Sequence, residues 1–448
     1  FESLGLNSID SKVSMIGVNP VLSIEVINCE ITFISNNDVL NKIAEIYSDE
    51  KLFFIGHRIL QYKINHRKLI WNFLRKIDQN LRSIDGGVIS TISLSYNTIH
   101  FVENISGYQN EGAPDIHICC YACYIEIDPH SMQIHQYHFV GEEMIDENKL
   151  IGCIQGSKSI LSNKKPTEFL LRRETNQLAY LQKVERALTH IARGDVYQVQ
   201  VGQKIEVLMD IEPIDVYARI RALNPSPYMY FFNFKGSTVI GASPELFIHV
   251  VGSKVRMKPI AGTFGKGVGI SKKQAIYGLR SNEKENAEHL MLLDLCRNDL
   301  YRIADPETLE VSGVMEVEEY SHVYHMVSTV EAYLKTGFDK YDAIQAAFPA
   351  GTMTGAPKIR AVELISEMED SGRGLYAGAL GMIGLGSDFL NTALCIRTAI
   401  EKNGIYSLRA SAGIVADSIA EKEYAETLQK MASMFQAITG EEIACHVE

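Results

Sequence analysis

The stretch LAYLQKVERALTHIARGDVYQVQVGQKIEV, from Leu178 to Val207, sets the fold class. Leu178, Leu181, Val184, Leu188 and Ile191 recur at three- and four-residue intervals, the spacing of one helical face. Gly194 stands where a helix closes in the left-handed conformation, and Val196–Val207 then reads as a strand. Strand patterns continue at Tyr228–Phe234, Thr238–Ile240, Leu246–Val251 and Val255–Met257. Helical periodicity covers Ser281–Arg297, Ala356–Met368 and a final helix Ile419–Ile438, with strands at Ala379–Ile383 and Thr392–Ile400 between them. Towards the N-terminus, Val21–Val26, Ile31–Ile34, Gly87–Leu94, Ile116–Ile127 and Gln133–Val140 read as strands, and Ile59–Leu81 as a helix. Helices and strands mix without strict βαβ alternation, so the expected class is α+β, a large two-layered α/β sandwich. Two regions are expected, a β-rich 1–155 and a second at 165–448, joined by a polar linker at Gln155–Thr167.

The 448 residues are 46% hydrophobic and 22% charged, as in an ordinary globular protein. With 43 basic against 55 acidic residues the net charge is −12, which argues against a nucleic-acid partner. No apolar run reaches the ~18 residues of a membrane span. Phe1-Glu2-Ser3-Leu4 opens the chain without an apolar signal core, so a cytoplasmic location is expected. Cys119, Cys120 and Cys123 lack a second ligand pair and read as strand cysteines in a reducing compartment.

On the final helix Ser418 and Glu421 form a Ser-x-x-Glu capping box. Glu423, Glu426 and Lys430 follow on one stripe, and Glu285 and Glu288 are similarly spaced on Ser281–Arg297. Two such helices can bring four carboxylates around a divalent cation, and Mg2+ suits an all-oxygen site that keeps several waters. Two solvated Glu-rich faces have the same spacing, and both readings stand. Gly351-Thr352-Met353-Thr354-Gly355-Ala356-Pro357-Lys358 places Pro357 in the first turn of a helix, and Ser411-Ala412-Gly413 reads as a small-residue turn before one. Glu245, after a tight turn, qualifies as a general acid if burial raises its pKa. Arg397, in an apolar run, calls for a carboxylate partner, and His325 lies in another such run.

Pro259-Ile260-Ala261-Gly262-Thr263, Glu285-Asn286-Ala287-Glu288-His289, Leu293–Leu300, Gly355-Ala356-Pro357-Lys358, Ile396-Arg397-Thr398 and Ala412–Ser418 resemble the motifs of the chorismate-utilising enzymes, above all the synthase subunit of anthranilate synthase. The likeness runs from Leu178 to Ile438 and is weaker before Gln155. It implies a Mg2+-dependent lyase that aminates chorismate at C2 and eliminates pyruvate to give anthranilate. By the resemblance Glu288 and Glu426 are metal ligands, supported by Glu285 and Glu423. Glu245 is the acid for the departing 4-hydroxyl, and His325 belongs to pyruvate elimination. Thr263, Thr354, Tyr376, Arg397, Ala412, Gly413 and Lys430 line the substrate pocket.

Gln198 stands where water-using members carry a Lys base, which implies ammonia as nucleophile. Ala261 lacks the Lys nucleophile of many aminodeoxychorismate synthases, the p-aminobenzoate branch, which remains an alternative beside a 2-amino-2-deoxyisochorismate synthase. An inactive homologue that binds the amidotransferase or tryptophan is the non-enzyme alternative. Gly202, where Ser is usual, departs from the pattern in a way expected to affect substrate positioning. No glutaminase motif is present, so the resemblance implies ammonia from a separate glutamine amidotransferase subunit. Glu2, Ser3, Pro227, Tyr228 and Met229 resemble the segments that bind tryptophan as feedback inhibitor.

Overall fold

The computed structural model describes residues 1–448 except 5–12, 49, 82–86, 110–111, 157–167, 235, 267–270, 321–322 and 444–448. Most of the linker expected at Gln155–Thr167 therefore lies outside the described residues. Among these residues the chain forms two large sheets, one of fourteen strands and one of seven, with helices packed on them. This is the α+β sandwich expected from the helix–strand pattern.

The smaller sheet is centred on the strand Gln198–Leu208, which pairs with Ile405–Ile414 along its length and with Gly355–Ala356 at its start. The helices Gln177–Ala192, Pro213–Leu223 and Ala420–Thr439 cover one face of it. Tyr180, Val184, Val201, Ile205, Leu428 and Phe435 are among the side chains of the core between them. The larger sheet crosses the two expected regions. The strand Ala379–Leu385 pairs with Val88–Leu94, which carries the ladder on to Ile116–Ile127. Cys119, Cys120 and Cys123 lie buried in that last strand as free thiols.

Several local readings change. Ile59–Leu81 is not one helix: Ile59–Lys63 is a strand paired with Glu30–Ile34, and the helix begins at Ile70. Ladder pairing outweighs helical periodicity there, and only the second half puts Trp71 and Leu74 in the core. The expected strand Thr392–Ile400 breaks in two around Arg397, whose φ of 53° no regular strand accommodates. Ser411–Gly413 is strand rather than turn. The capping box does not form. Ile419 is the N-cap, and the Ser418 hydroxyl accepts the Val415 N–H, closing the turn before the helix. Pro357 sits one residue before the helix, which starts at Lys358.

The N-terminal region is bolted to the remainder by a buried lysine. Lys340, 1% exposed, donates to the Asp78 carboxylate and to the carbonyls of Gly384 and Ser387, each at 2.7 Å. Burial lowers its pKa, opposed by the Asp78 charge. Lys340→Met would leave the buried Asp78 carboxylate without its lysine, a loss of roughly 3–5 kcal/mol. Denaturant unfolding should show that loss, and Asp78→Leu added to it should recover a large part.

Candidate active site

The strand Gln198–Leu208, the helix Glu283–Tyr301 and the final helix converge at one end of the smaller sheet. Gln198 Nε2 donates to Glu288 Oε1 at 3.3 Å, which joins the first helix to the strand. Gln198 Oε1 is buried with no protein partner. A Cβ on Gly413 would stand 2.5 Å from Gln198 Nε2, so glycine there is what lets the amide lie across the neighbouring strand. Glu285 lies against Gly262, its Oε2 3.2 Å from where a Cβ of that glycine would be.

On the final helix Glu423 is buried and Glu426 half-buried. Lys430 pairs with Glu426 at 2.7 Å and donates to the Ser411 carbonyl at 2.8 Å. Arg397, held by its positive-φ turn, donates to the Lys430 carbonyl at 3.0 Å. Burial lowers its pKa against the opposing fields of Tyr376 and Glu426. Tyr376 OH lies 2.7 Å from Ser411 Oγ, which donates to Gln200 Oε1, and Gln200 Nε2 donates to the Thr352 carbonyl. The strand bearing Ala412 and Gly413 outruns its neighbour, whose pairing ends at Ala399 with Leu408. Alternate N–H groups beyond that point face away from the Gln198 strand without a strand partner, a natural cradle for a carboxylate.

Glu245 follows the strand Ser237–Ser243 and is 8% exposed. Burial pushes its pKa up to about 8, against the lowering effects of the Thr352 hydroxyl and the Lys430 charge. A carboxyl that keeps its proton at neutral pH is what a general acid requires. The Thr352 hydroxyl is buried, acts on Glu245, and falls short of a settled hydrogen bond. Thr354 differs from expectation: fully buried, it donates to the Ala350 carbonyl and serves the turn. His325 is buried, and its Nδ1 donates to the Gly262 carbonyl at 3.0 Å, which leaves Nε2 as the acceptor nitrogen. Burial lowers its pKa to about 4, so the ring is neutral. Thr263 pairs with His325 across the ladder, and its side chain lies outside the described residues.

Sequence reasoning missed Gln200, Ser411 and Thr352. Strand alternation carries the signal for Gln200, two residues from Gln198 on the same face. Nothing local marks Thr352. Gly202, two residues further on, meets Glu369: its N–H donates to that carboxylate, and a Cβ there would come within 2.7 Å of Glu369 Oε1.

The carboxylates suit Mg2+. Among the described residues no group of three or more His, Cys, Asp or Glu could hold a metal ion. A full protein cage is thus not built, but Mg2+ asks for one or two carboxylates and keeps waters. Glu288 and Glu426 would supply hard oxygens to such an ion, and Gln198 Oε1, buried beside Glu288 without a protein partner, would be open to one of its waters.

The expected tryptophan segments do meet. Glu2 and Met229 exchange backbone hydrogen bonds at 2.9 and 2.8 Å, while Pro227 and Tyr228 are buried beside them. The Glu2 carboxylate is taken by Tyr217 and Arg221, and the Ser3 hydroxyl is buried without a partner.

Glu245→Gln should abolish turnover while retaining the fold. Its pH signature follows from the raised pKa. The protonated acid contributes stability that is full below about pH 4.5 and lost as pH rises through about 8. The stability gap between wild type and Glu245→Gln, measured by denaturant titration, should therefore move by about 3–5 kcal/mol in favour of the variant between pH 5 and 9. Gly202→Ser should cost about 1–3 kcal/mol, because Glu369 is pinned and cannot retreat.

The chain spans about half the length of the curated relatives it matches. It is 54% identical over 260 residues to a 2-amino-4-deoxychorismate synthase of Streptomyces globisporus, covering 58% of this chain and 52% of the relative. It is 44% identical over 267 residues to anthranilate synthase component 1 of Streptomyces coelicolor, covering 59% of this chain and 52% of that one. The crystal structure of anthranilate synthase component I from Streptococcus pneumoniae superposes with a TM-score of 0.75 at 30% identity, over 96% of this chain and 93% of that one. The menaquinone-specific isochorismate synthase of Escherichia coli shares the fold, with a TM-score of 0.68 at 16% identity over 95% and 94% of the two chains. No helix among the described residues is long and apolar enough to cross a membrane. Residues 44–436 match the family described as chorismate binding enzyme, and with the site and fold set out above the chain belongs to that family.

Proposed function

We propose that the protein aminates chorismate at C2 with ammonia and then eliminates pyruvate to give anthranilate. The observation that carries the first step is the buried Glu245 carboxyl, protonated up to about pH 8. It gives its proton to the 4-hydroxyl, which leaves as water as ammonia bonds to C2 and the ring double bonds shift. Gln198, buried beside Glu288, has no basic nitrogen, and ammonia needs none to attack. Ala261, on the strand Ile260–Gly265, offers no nucleophile for a covalent route to the C4 amine. Bound Mg2+, held by Glu288 and Glu426 with Glu285 and Glu423 in support, would hold the ring carboxylate and act as Lewis acid. Arg397, Tyr376 and the backbone of Ala412 and Gly413 hold the enolpyruvyl carboxylate, and Lys430 balances charge between the two acid groups. Neutral His325, its acceptor nitrogen set by the Gly262 carbonyl, removes the C2 proton as pyruvate leaves and the ring aromatises.

Ammonia is a minor species at neutral pH, so a separate glutamine amidotransferase subunit is proposed as its source. Tryptophan is proposed as inhibitor at the Glu2–Ser3 and Pro227–Met229 junction.

A second reading ends at the aminated intermediate, 2-amino-2-deoxyisochorismate, also called 2-amino-4-deoxychorismate. The 54% identity to the synthase named for that product favours it. Chorismate, Mg2+ and ammonium, followed by fluorescence and mass, separate the outcomes: fluorescent anthranilate with stoichiometric pyruvate is expected. A non-fluorescent amine without pyruvate selects the second reading, and 4-amino-4-deoxychorismate rejects both. Glu288→Gln should lower turnover at least a hundredfold, with unchanged circular dichroism.

A further inference from the structure

The hydrogen bond from His325 Nδ1 to the Gly262 carbonyl, at 3.0 Å, fixes the imidazole at one point and sets its tautomer. It does not fix the plane of the ring, because the torsion that turns a histidine ring is broad. A base that must meet one particular proton needs that plane held as well.

The neighbouring strand supplies the second hold. Tyr320 follows the strand Glu310–Glu319, and its N–H donates to the Val323 carbonyl at 2.9 Å, where the chain enters the strand Val323–Tyr333 that carries His325. The half-buried Tyr320 ring lies 4.9 Å from the imidazole, centre to centre, with the two planes at 76°. Aromatic pairs attract in this near-perpendicular arrangement, and an imidazole that swung about its hydrogen bond would lose it. The tyrosine is itself braced. Its hydroxyl donates to Glu318 Oε2 at 3.3 Å, and Lys258 grips both oxygens of that carboxylate, at 2.9 and 3.0 Å. Glu318 lies opposite His325 on one side of the ladder and Thr263 opposite it on the other. Lys258 comes just before the strand of Thr263, so the ion pair joins the segments on both sides of the strand that bears His325.

We propose that Tyr320 is a positioning residue for His325: its ring holds the plane of the imidazole and so decides what share of the aminated intermediate goes on to lose pyruvate. That role rests on His325 taking the C2 proton. Amination answers to other groups, since Glu245 is tuned by Thr352 and Lys430, neither of them on these strands. A change at Tyr320 therefore falls on the second half of the reaction.

Chorismate consumption, pyruvate and anthranilate are to be measured side by side with Mg2+ and ammonium. Tyr320→Leu should lower the fraction of consumed chorismate that reaches anthranilate at least tenfold, with the aminated intermediate released in its place. Tyr320→Phe keeps the ring and gives up only the bond to Glu318, and should stay within about threefold of the wild type. Magnetic resonance of the histidine rings, with His325 assigned by its loss in His325→Gln, follows the placement apart from catalysis. The wild type and Tyr320→Phe should show one sharp Nδ1–H tautomer, and Tyr320→Leu a shifted and broadened ring. A Tyr320→Leu enzyme that keeps the wild-type fraction, that loses chorismate consumption and anthranilate in step, or whose His325 signals match the wild type overturns the assignment. A wild type that stops at the aminated intermediate overturns the elimination reading instead, and the ring signals alone then decide for or against Tyr320.

Discussion

A single buried carboxylate holds the floor of the site together. Glu369 accepts the Gly202 N–H from the central strand, both arms of the Arg373 guanidinium, and Arg409 from the next strand. Burial alone would raise its pKa, but the two guanidinium charges outweigh it and hold the group ionised below the ordinary range. Arg373 in turn donates to the Met353 carbonyl, setting the turn that carries Thr352 towards Glu245. Its cation also lies over the rings of Tyr96 and Tyr376, 4.8 and 5.7 Å from their centres. One ion knot thus positions Tyr376, the threonine turn and an N-terminal tyrosine at once. Glycine at 202 fits this arrangement, because a Cβ there would come within 2.7 Å of the Glu369 carboxylate on which the floor depends.

The electrostatics above this floor sort the acids into two kinds. Glu245 lies in apolar surroundings with only Lys430 and a threonine hydroxyl to favour its charge, and it keeps its proton. Glu426 has Lys430 at 2.7 Å, and Glu288 has the Gln198 amide. The three carboxyl groups thus have different surroundings: Glu245 is shut away from water, while Glu426 and Glu288 have polar partners. His325 completes the division, because burial lowers its pKa to about 4 and keeps the ring neutral.

Much of this was legible from sequence. The spacing of Glu285 with Glu288 and of Glu423, Glu426 and Lys430 put the charged stripes on the right helices, and the stripe Tyr424, Leu428, Met431 faces the core as its period implied. Non-local contacts hid the remainder. Ser418 has the residue type of a cap, yet its hydroxyl is spent on the Val415 N–H, a choice made by the turn. Thr354 and Thr352 are indistinguishable as letters. Only the Glu369–Arg373–Met353 relay decides which hydroxyl reaches the acid. Arg397 reads as a strand residue because its neighbours are apolar, while its positive φ comes from the need to turn the guanidinium towards the Lys430 carbonyl.

The proposed effector junction lies one strand away from the chemistry. Met229, bonded to Glu2, begins a strand whose ladder sets Tyr228 opposite Ser243 and Met229 opposite Ala242. The Ser243 hydroxyl accepts the Glu245 N–H at 3.4 Å, a long bond with slack in it. A ligand that spread the Glu2–Met229 bridge would pull on Tyr228, and through the ladder on the residue that holds the backbone of the general acid. Glu245 depends for its proton on staying in dry surroundings, so a displacement towards Lys430 or solvent would favour its anion and disarm it. If tryptophan acts at this junction as proposed, it would need no register slip: a small displacement at the end of one strand, passed to the Ser243–Glu245 bond, would be enough to bring Glu245 nearer to charge or to water.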